Sequence, residues 1–372
     1  MTSRLNIHFF AHSWVSDWNH GNAHFLRGLV RALMRMGHRV RCYEQLGSWS
    51  LTNLVQAEGD RAVQAIDEFR RICFDLDVQF YNQDDGFLEL VRRQLRGADV
   101  VVLHEWNPPE VVNAVLSLKQ EMGFLALLHD THHRAYTHAA EILRFRLDQF
   151  DGVLAFGEAV RRIYAEGFGI PRVWTFHEAA DVESFQPLME EKRDDVVWIG
   201  NWGDEERTRE LGEFLIGPAM RMRGRKVAVH GVRYPESVLQ QLSDAGIDYR
   251  GYLPNLLAPK VYARSRVALH VPRRQYTNGL SGVPTIRVFE ALACGIPLVC
   301  SPWTDAEELF RPGEDYLVAE NGEAMQVEIE SLLRDPKARR QIAASGLQTI
   351  RSRHTCGHRA AQLIDICEEL SQ

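Results

Sequence analysis

The sequence predicts an α/β protein of two Rossmann-like domains, each built on a mostly parallel sheet. Three observations carry this. The chain has 372 residues, more than twice the ~150 of an ordinary domain. Short apolar runs alternate with helix-like segments through both halves, the pattern of βαβ units. One stretch, 179–195, breaks that rhythm with Pro187 and the charge run Glu190-Glu191-Lys192-Arg193-Asp194-Asp195, as a solvated linker would.

In the first half, strands are expected over 5–10, 38–43, 99–103, 124–128, 153–156 and 172–176. Helices are expected over 24–36, where Gly37 stops the turn, and over 84–95, 135–149 and 158–166. The second half repeats the architecture without repeating the sequence. Its strands are expected over 196–199, 226–230, 267–271, 297–300 and 316–318, and its helices over 205–221, 235–245, 258–265 and 284–293. The domains are therefore read as 1–180 and 196–353, joined by a linker at 181–195. A last helix in 354–372 is expected to pack back on the first domain. Ligands of open parallel sheets sit beyond the carboxyl ends of the strands, so two such domains suit a reaction between two substrates in a cleft.

Composition narrows the partners. Hydrophobic residues make up 45% of the chain, and 43 basic against 50 acidic side chains leave a net charge of −7. A general nucleic-acid surface is not expected from that balance. The six cysteines, Cys42, Cys73, Cys294, Cys300, Cys356 and Cys367, form no C-x-x-C pair and read as small buried hydrophobes of a reduced compartment. No apolar run is long enough to span a bilayer, and the start of the chain does not read as a signal peptide. A cytoplasmic protein is expected, with peripheral contact to the inner membrane face left open. That contact would use Arg27, Arg31 and Arg35, a stripe at i, i+4 and i+8 on the first helix; a plain solvated face is the alternative.

The most informative segment is Asn278-Gly-Leu-Ser-Gly-Val-Pro-Thr-Ile-Arg-Val-Phe-Glu290. Pro284 suits a first helical position. The amides of Thr285 and Ile286 would then point out of the helix start and, with the helix dipole, attract an anion. Gly279 and Gly282 let backbone approach a phosphate closely. Glu290, a turn and a half along, is placed to accept from ribose hydroxyls, with a surface salt bridge as the alternative.

Arg287-Val-Phe-Glu-Ala-Leu-Ala-Cys-Gly-Ile-Pro-Leu-Val-Cys300 resembles the donor-site helix and following strand of GT-B glycosyltransferases, in particular retaining family 4 and the spore-maturation-type enzymes. The segment 307–318 resembles the loop and strand that come next. The resemblance covers 196–350 well and the first half loosely. It implies a GT-B fold, a nucleotide-sugar donor and no cofactor or metal. Glu290 would hold the ribose, backbone from Gly282 to Ile286 the diphosphate, and Tyr252 and Leu253 the base. Arg207 would neutralise the diphosphate by a paired hydrogen bond. Two positions depart from the family. Gly282 stands where it often has a first glutamate, and Asn201 where it has an arginine.

In the first half, the resemblance sets His20, Gly21 and Asn22 on the acceptor side, in a turn that lies against the donor phosphate or the acceptor; Asn22 also reads as a simple helix cap. It sets His129 near the donor sugar, at the end of an apolar strand and beside Asp130. His132 and His133 lie close by, without the spacing of a metal site. His104 and Glu105 end another strand. Retention is implied, in which case the leaving phosphate takes the acceptor proton. Inversion would instead need a base such as Asp17, His20, His129 or Asp130. Two other functions remain in view: a nucleotide-sugar epimerase of the same fold, and a silent nucleotide-sugar-binding protein.

Overall fold

The computed structural model describes residues 4–372, save the side chain of Asp204. The chain divides into two compact units. One runs to Glu178 and resumes with Cys356–Gln372; the other is Ala179–Thr355.

In the first unit, β1 (Asn6–Phe10), β2 (Arg39–Gln45), β3 (Val78–Tyr81), β4 (Val100–His104), β5 (Leu125–Asp130), β6 (Gly152–Ala155) and β7 (Val173–Thr175) form a parallel sheet of order β3-β2-β1-β4-β5-β6-β7. Central strands such as Val100–His104 are buried throughout, so they read as continuous apolar runs. The order reverses between β1 and β4, which opens a crevice at their carboxyl ends. The helix Cys356–Leu370 belongs to this unit. Cys356 Sγ lies 3.9 Å from the Phe25 carbonyl on helix Ala23–Arg35, and Gln362 donates to the Thr175 carbonyl at 2.9 Å.

In the second unit, β8 (Asp194–Ile199), β9 (Val227–His230), β10 (Ile247–Tyr249), β11 (Ser265–His270), β12 (Leu298–Cys300) and β13 (Leu317–Val318) form a parallel sheet of order β10-β9-β8-β11-β12-β13. Val196, Trp198, Val229, Val267, Leu269 and Val299 fill its core. The reversal here falls between β8 and β11. The unit's two chain ends meet, with Ala180 N donating to the His354 carbonyl at 2.9 Å.

Four expectations need correction. The stretch 181–195 is not a free linker: Ala179–Arg193 is part of the second unit and β8 already begins at Asp194. The charge run is partnered, not merely solvated. Arg250 clamps the buried Asp194 through two bonds of 2.8 and 2.7 Å, Glu190 pairs with Arg264 at 3.2 Å, and Lys192 Nζ donates to the Ala263 and Ser265 carbonyls. The arginine stripe is not a surface. Arg27 is 1% exposed, paired with Asp17 at 3.0 Å and bonded to the Trp14 carbonyl, and Arg31 pairs with Asp75 at 2.8 Å; Arg35 alone is exposed. No described helix is long and apolar enough to cross a membrane.

Finally, 205–221 and 135–149 are not single helices. The first becomes Thr208–Leu211, a wide turn over Gly212–Ile216, and Gly217–Arg221. Pro218 has no N–H to give the preceding turn, and the ladder widens just ahead of it. The second breaks at His138, between Arg134–Thr137 and Ala139–Ile142.

The carboxyl end of β8 is tightly packed. Gly200 N donates to the His230 carbonyl at 2.8 Å. Gly231 has φ +156°, and a Cβ there would lie 2.1 Å from the Gly200 carbonyl oxygen. Gly231→Ala is therefore expected to destabilise the protein by roughly 3 kcal/mol or more, read as a lower urea midpoint. A loss under 1 kcal/mol would mean that this backbone approach relaxes freely.

Candidate functional sites at two sheet switch points

The second unit's site is built on the loops after β8 and β11 and on helix Ile286–Ala293. The helix starts two residues later than expected. Thr285, with φ −84° and ψ 159°, is its N-cap, and Pro284 precedes it. Thr285 does not cap with its side chain; its Oγ1 lies 2.9 Å from His270 Nε2 at the end of β11. The helix start therefore keeps its positive field without a side-chain acceptor.

Arg207 lies in this place but not in the posture expected of it. It is buried, its guanidinium 5.2 Å above the Trp198 ring. Nε donates to the Trp202 carbonyl at 3.3 Å, Nη1 to that of Val271 at 3.2 Å, and Nη2 to that of Asn201. Burial, then the charges of Arg273 and Arg287, pull its pKa down to about 9. It stays charged at neutral pH and braces the loops, in place of reaching out as a mobile clamp. Arg273 and Arg287 are the residues that sequence reasoning missed. A Cβ on Gly203 would meet Arg207 Nε at 3.1 Å and Arg273 Nε at 3.5 Å, so the two guanidiniums flank that glycine. Arg287 was visible inside the quoted motif, at the first turn of an anion-attracting helix. Carboxylates also stand in the cluster: Arg273 pairs with Glu206 at 3.0 Å.

Glu290 also departs from its expected posture. It is 0% exposed; Asn255 Nδ2 donates to its Oε1 at 2.6 Å, and Arg287 Nη1 pairs with its Oε2. The carboxylate is thus covered, not presented. Asn201 is structural as well, its Oδ1 accepting from Val232 N at 3.0 Å. Tyr252 and Leu253 are half-buried on the turn after Gly251, which has φ +70° and whose carbonyl accepts from Gly231 N at 2.9 Å. Gly282 has φ +89°, and a Cβ there would come within 3.0 Å of the Ala306 Cβ and 3.3 Å of its backbone nitrogen. The local backbone excludes the glutamate that the resemblance led one to expect there. Gly282→Glu is expected to cost about 2 kcal/mol without restoring a family-like site. Unchanged stability in a chemical melt would show that the loop has room for the side chain.

The first unit's site lies at the carboxyl ends of β1, β4 and β5. His20 packs edge-on to His12 with ring centres 4.0 Å apart, His12 and His104 are 5.9 Å apart, and His104 and His129 5.4 Å. His104 Nδ1 is 3.0 Å from Glu105 Oε2, and its Nε2 is 2.9 Å from Thr131 Oγ1. Asn22 flanks the helix start but does not cap it; its Nδ2 donates to Thr131 Oγ1. Gly21 precedes it on a half-buried turn. Glu105, expected at the end of its strand, joins the site, and so does His12, which sequence reasoning missed.

His129 and Asp130 do not act on one face. Neighbouring strand residues point to opposite sides: His129 packs on Phe25 and Phe176, while Asp130 accepts from Tyr164 Oη at 2.7 Å and from His132 N at 2.9 Å. Burial raises Asp130 to about 6, and it raises Glu105 well above the carboxylate range with help from the Asp130 charge. His20 Nε2, His129 Nε2 and both Glu105 oxygens are buried without a hydrogen bond, although the Glu105–His104 distance fits a bond once that carboxyl is protonated. No group of three metal-ligating side chains is present among the described residues. All six cysteines are buried and none is in a disulfide.

Burial also fixes the imidazoles as neutral. It lowers His12 and His129 to about 3, His8 and His230 to about 4 and His270 to about 3, and takes His20 and His104 well below 6.5. Below pH 6.5 the unfolded chain takes up protons that the folded chain refuses. The stability these groups contribute is complete above pH 6.5 and is lost as pH falls toward 4, at about 1.4 kcal/mol per pH unit for each imidazole. Asp130 and Glu105 act in the opposite sense, but they are outnumbered. Urea midpoints should drop steeply from pH 7 to 5, and His129→Gln should make the slope shallower by about one proton. A flat profile would contradict neutral burial.

With this geometry in place, comparison with known proteins is informative. The whole chain superposes on Anabaena Alr3699/HepE, solved with UDP and glucose, at TM-score 0.69 and 13% identity, covering 98% of this chain and 100% of that one. It superposes on sucrose-phosphate synthase of Thermosynechococcus elongatus at 0.68 and 12% identity, covering 99% of both. Both superpositions show that the chain has the GT-B fold. Residues 207–365 match the glycosyl transferase-like family model. In sequence, 121 residues are 32% identical to O-antigen chain mannosyltransferase B of Escherichia coli, covering 31% of this chain and 29% of that relative's length.

Proposed function

We propose that the protein transfers a sugar from a nucleoside diphosphate to a hydroxyl acceptor, with retention at the anomeric carbon and without a metal. The carrying observation is the second unit's cradle: an uncapped helix start together with Arg207, Arg273 and Arg287 at the β8/β11 switch point. Breaking the glycosidic bond leaves charge on the departing diphosphate. Fixed guanidiniums and a helix dipole stabilise that charge without reorganising as it forms. Neutral imidazoles both donate and accept hydrogen bonds, which suits the hydroxyls of an acceptor at the first unit's cluster. In a retaining reaction the departing phosphate takes the acceptor proton. This agrees with the posture of Asp130, whose oxygens are held by Tyr164 and the His132 amide. The UDP and glucose of the Anabaena structure and the mannosyltransferase name of the E. coli relative support the reaction class.

A thermal-shift series with UDP, GDP, dTDP and ADP, and with their sugars, tests this. One base should raise the melting temperature by about 5 °C at ~100-fold over its Kd, and Glu290→Gln should lose at least half of that rise. No shift with any of them would remove the donor site. An epimer formed from donor alone, or binding without transfer over an acceptor panel, would replace transfer by the corresponding other function.

A further inference from the structure

The proposed donor site contains a contradiction as it stands. The carboxylate that would hold the ribose is 0% exposed, and its two oxygens are taken by Asn255 and Arg287. Arg287 is the outer member of this trio, with its side chain 21% exposed. It is also the only one of the two partners that carries charge. It lies one turn before Glu290, on the first turn of the helix whose start attracts anions.

We propose that Arg287 is a latch exchanged between two anions: it covers Glu290 in the empty site, and it moves to the diphosphate when a nucleotide binds, uncovering the carboxylate for the ribose. This rests on the donor-site reading and deepens it.

Three observations favour exchange over a fixed structural pair. First, Asn255 keeps Glu290 in place from the inner side when Arg287 leaves. Its Nδ2 bonds Oε1, and its own Oδ1 is buried without a hydrogen bond, an acceptor ready for a ribose hydroxyl. Second, the destination is close. The Arg287 charge bears on both Arg207 and His270, and His270 bonds Thr285 at the helix start while its Nδ1 is buried without a hydrogen bond. Third, each charged group keeps a partner through the exchange. Arg287 gives up one carboxylate for a more highly charged phosphate group, and Glu290 gives up one cation for two hydroxyl donors. A nucleoside without phosphates provides only the second half of that exchange. It must uncover Glu290 without giving Arg287 a new partner, so the site reads ribose only when a diphosphate accompanies it.

Calorimetric titration of the full chain with uridine and uridine diphosphate tests this, with the guanosine, deoxythymidine and adenosine pairs run in parallel. The wild type should bind one diphosphate at least 100-fold more tightly than its nucleoside. In Arg287→Gln the diphosphate should weaken about tenfold or more while the nucleoside binds as well or better, so the ratio contracts. Arg287→Lys should restore most of the ratio. Circular dichroism of each variant separates these effects from misfolding. A Gln variant that weakens nucleoside and diphosphate by the same factor, or changes neither, overturns the latch and leaves the donor site standing. A wild type that binds none of UDP, GDP, dTDP and ADP overturns the donor site and the latch with it.

Discussion

The second unit depends on one buried cation. The loops that follow β8 and β11 bring the carbonyls of Asn201, Trp202 and Val271 toward one point, and Arg207 supplies a donor to each. Without it, buried carbonyls would lose their hydrogen bonds, at about 1–3 kcal/mol apiece. Trp198 lies under the guanidinium and offers a ring face to its charge. Everything built at the switch point hangs from this brace: the turn at Gly203, the position of Arg273, and the approach of the β11 loop to helix Ile286–Ala293. A charge held so deep cannot swing to a ligand. Its contribution to one is the field, and the reaching falls to Arg273 and Arg287.

The two sites have opposite electrostatic characters, and this follows from what each is built of. Guanidiniums keep their charge when buried because their intrinsic pKa is so high; burial pulls Arg207 down to about 9 and it is still a cation at neutral pH. Imidazoles start near neutrality, so the same burial discharges them. The cluster of His12, His20, His104 and His129 is therefore polar but uncharged. One edge suits a phosphate, the other a set of hydroxyls.

Much of the architecture was legible in the sequence because parallel strands buried on both faces leave unbroken apolar runs, as in Val100–His104. Two of the four edge strands, Val173–Thr175 and Leu317–Val318, were legible; Val78–Tyr81 and Ile247–Tyr249 were not, because Gln79 and Asp248 interrupt their short apolar runs. Helical spacing showed that Arg27 and Arg31 share a face. It did not show that Asp17 and Asp75, far away on other segments, turn that face inward. The same limit explains the charge run at 190–195, where Asp194 at the start of β8 pairs with Arg250 just after β10. At the second unit's candidate site, the helix motif located Glu290 and Thr285 in the chain, but Asn255 and His270, which come from other elements, help to set their postures.

The missing glutamate at Gly282 then acquires a physical sense. Among the described residues of the cradle, the guanidiniums of Arg207, Arg273 and Arg287 stand against the carboxylates of Glu206 and Glu290. That leaves an excess of positive charge at the helix start. A second glutamate would cancel it and compete with the diphosphate for Arg287. The left-handed backbone of Gly282 and its packing on Ala306 keep such a carboxylate out. On the proposed reading, the anion arrives with the donor. Arg287 would then have one resident anion and one incoming anion to choose between, and the strength of the second would decide whether Glu290 is uncovered.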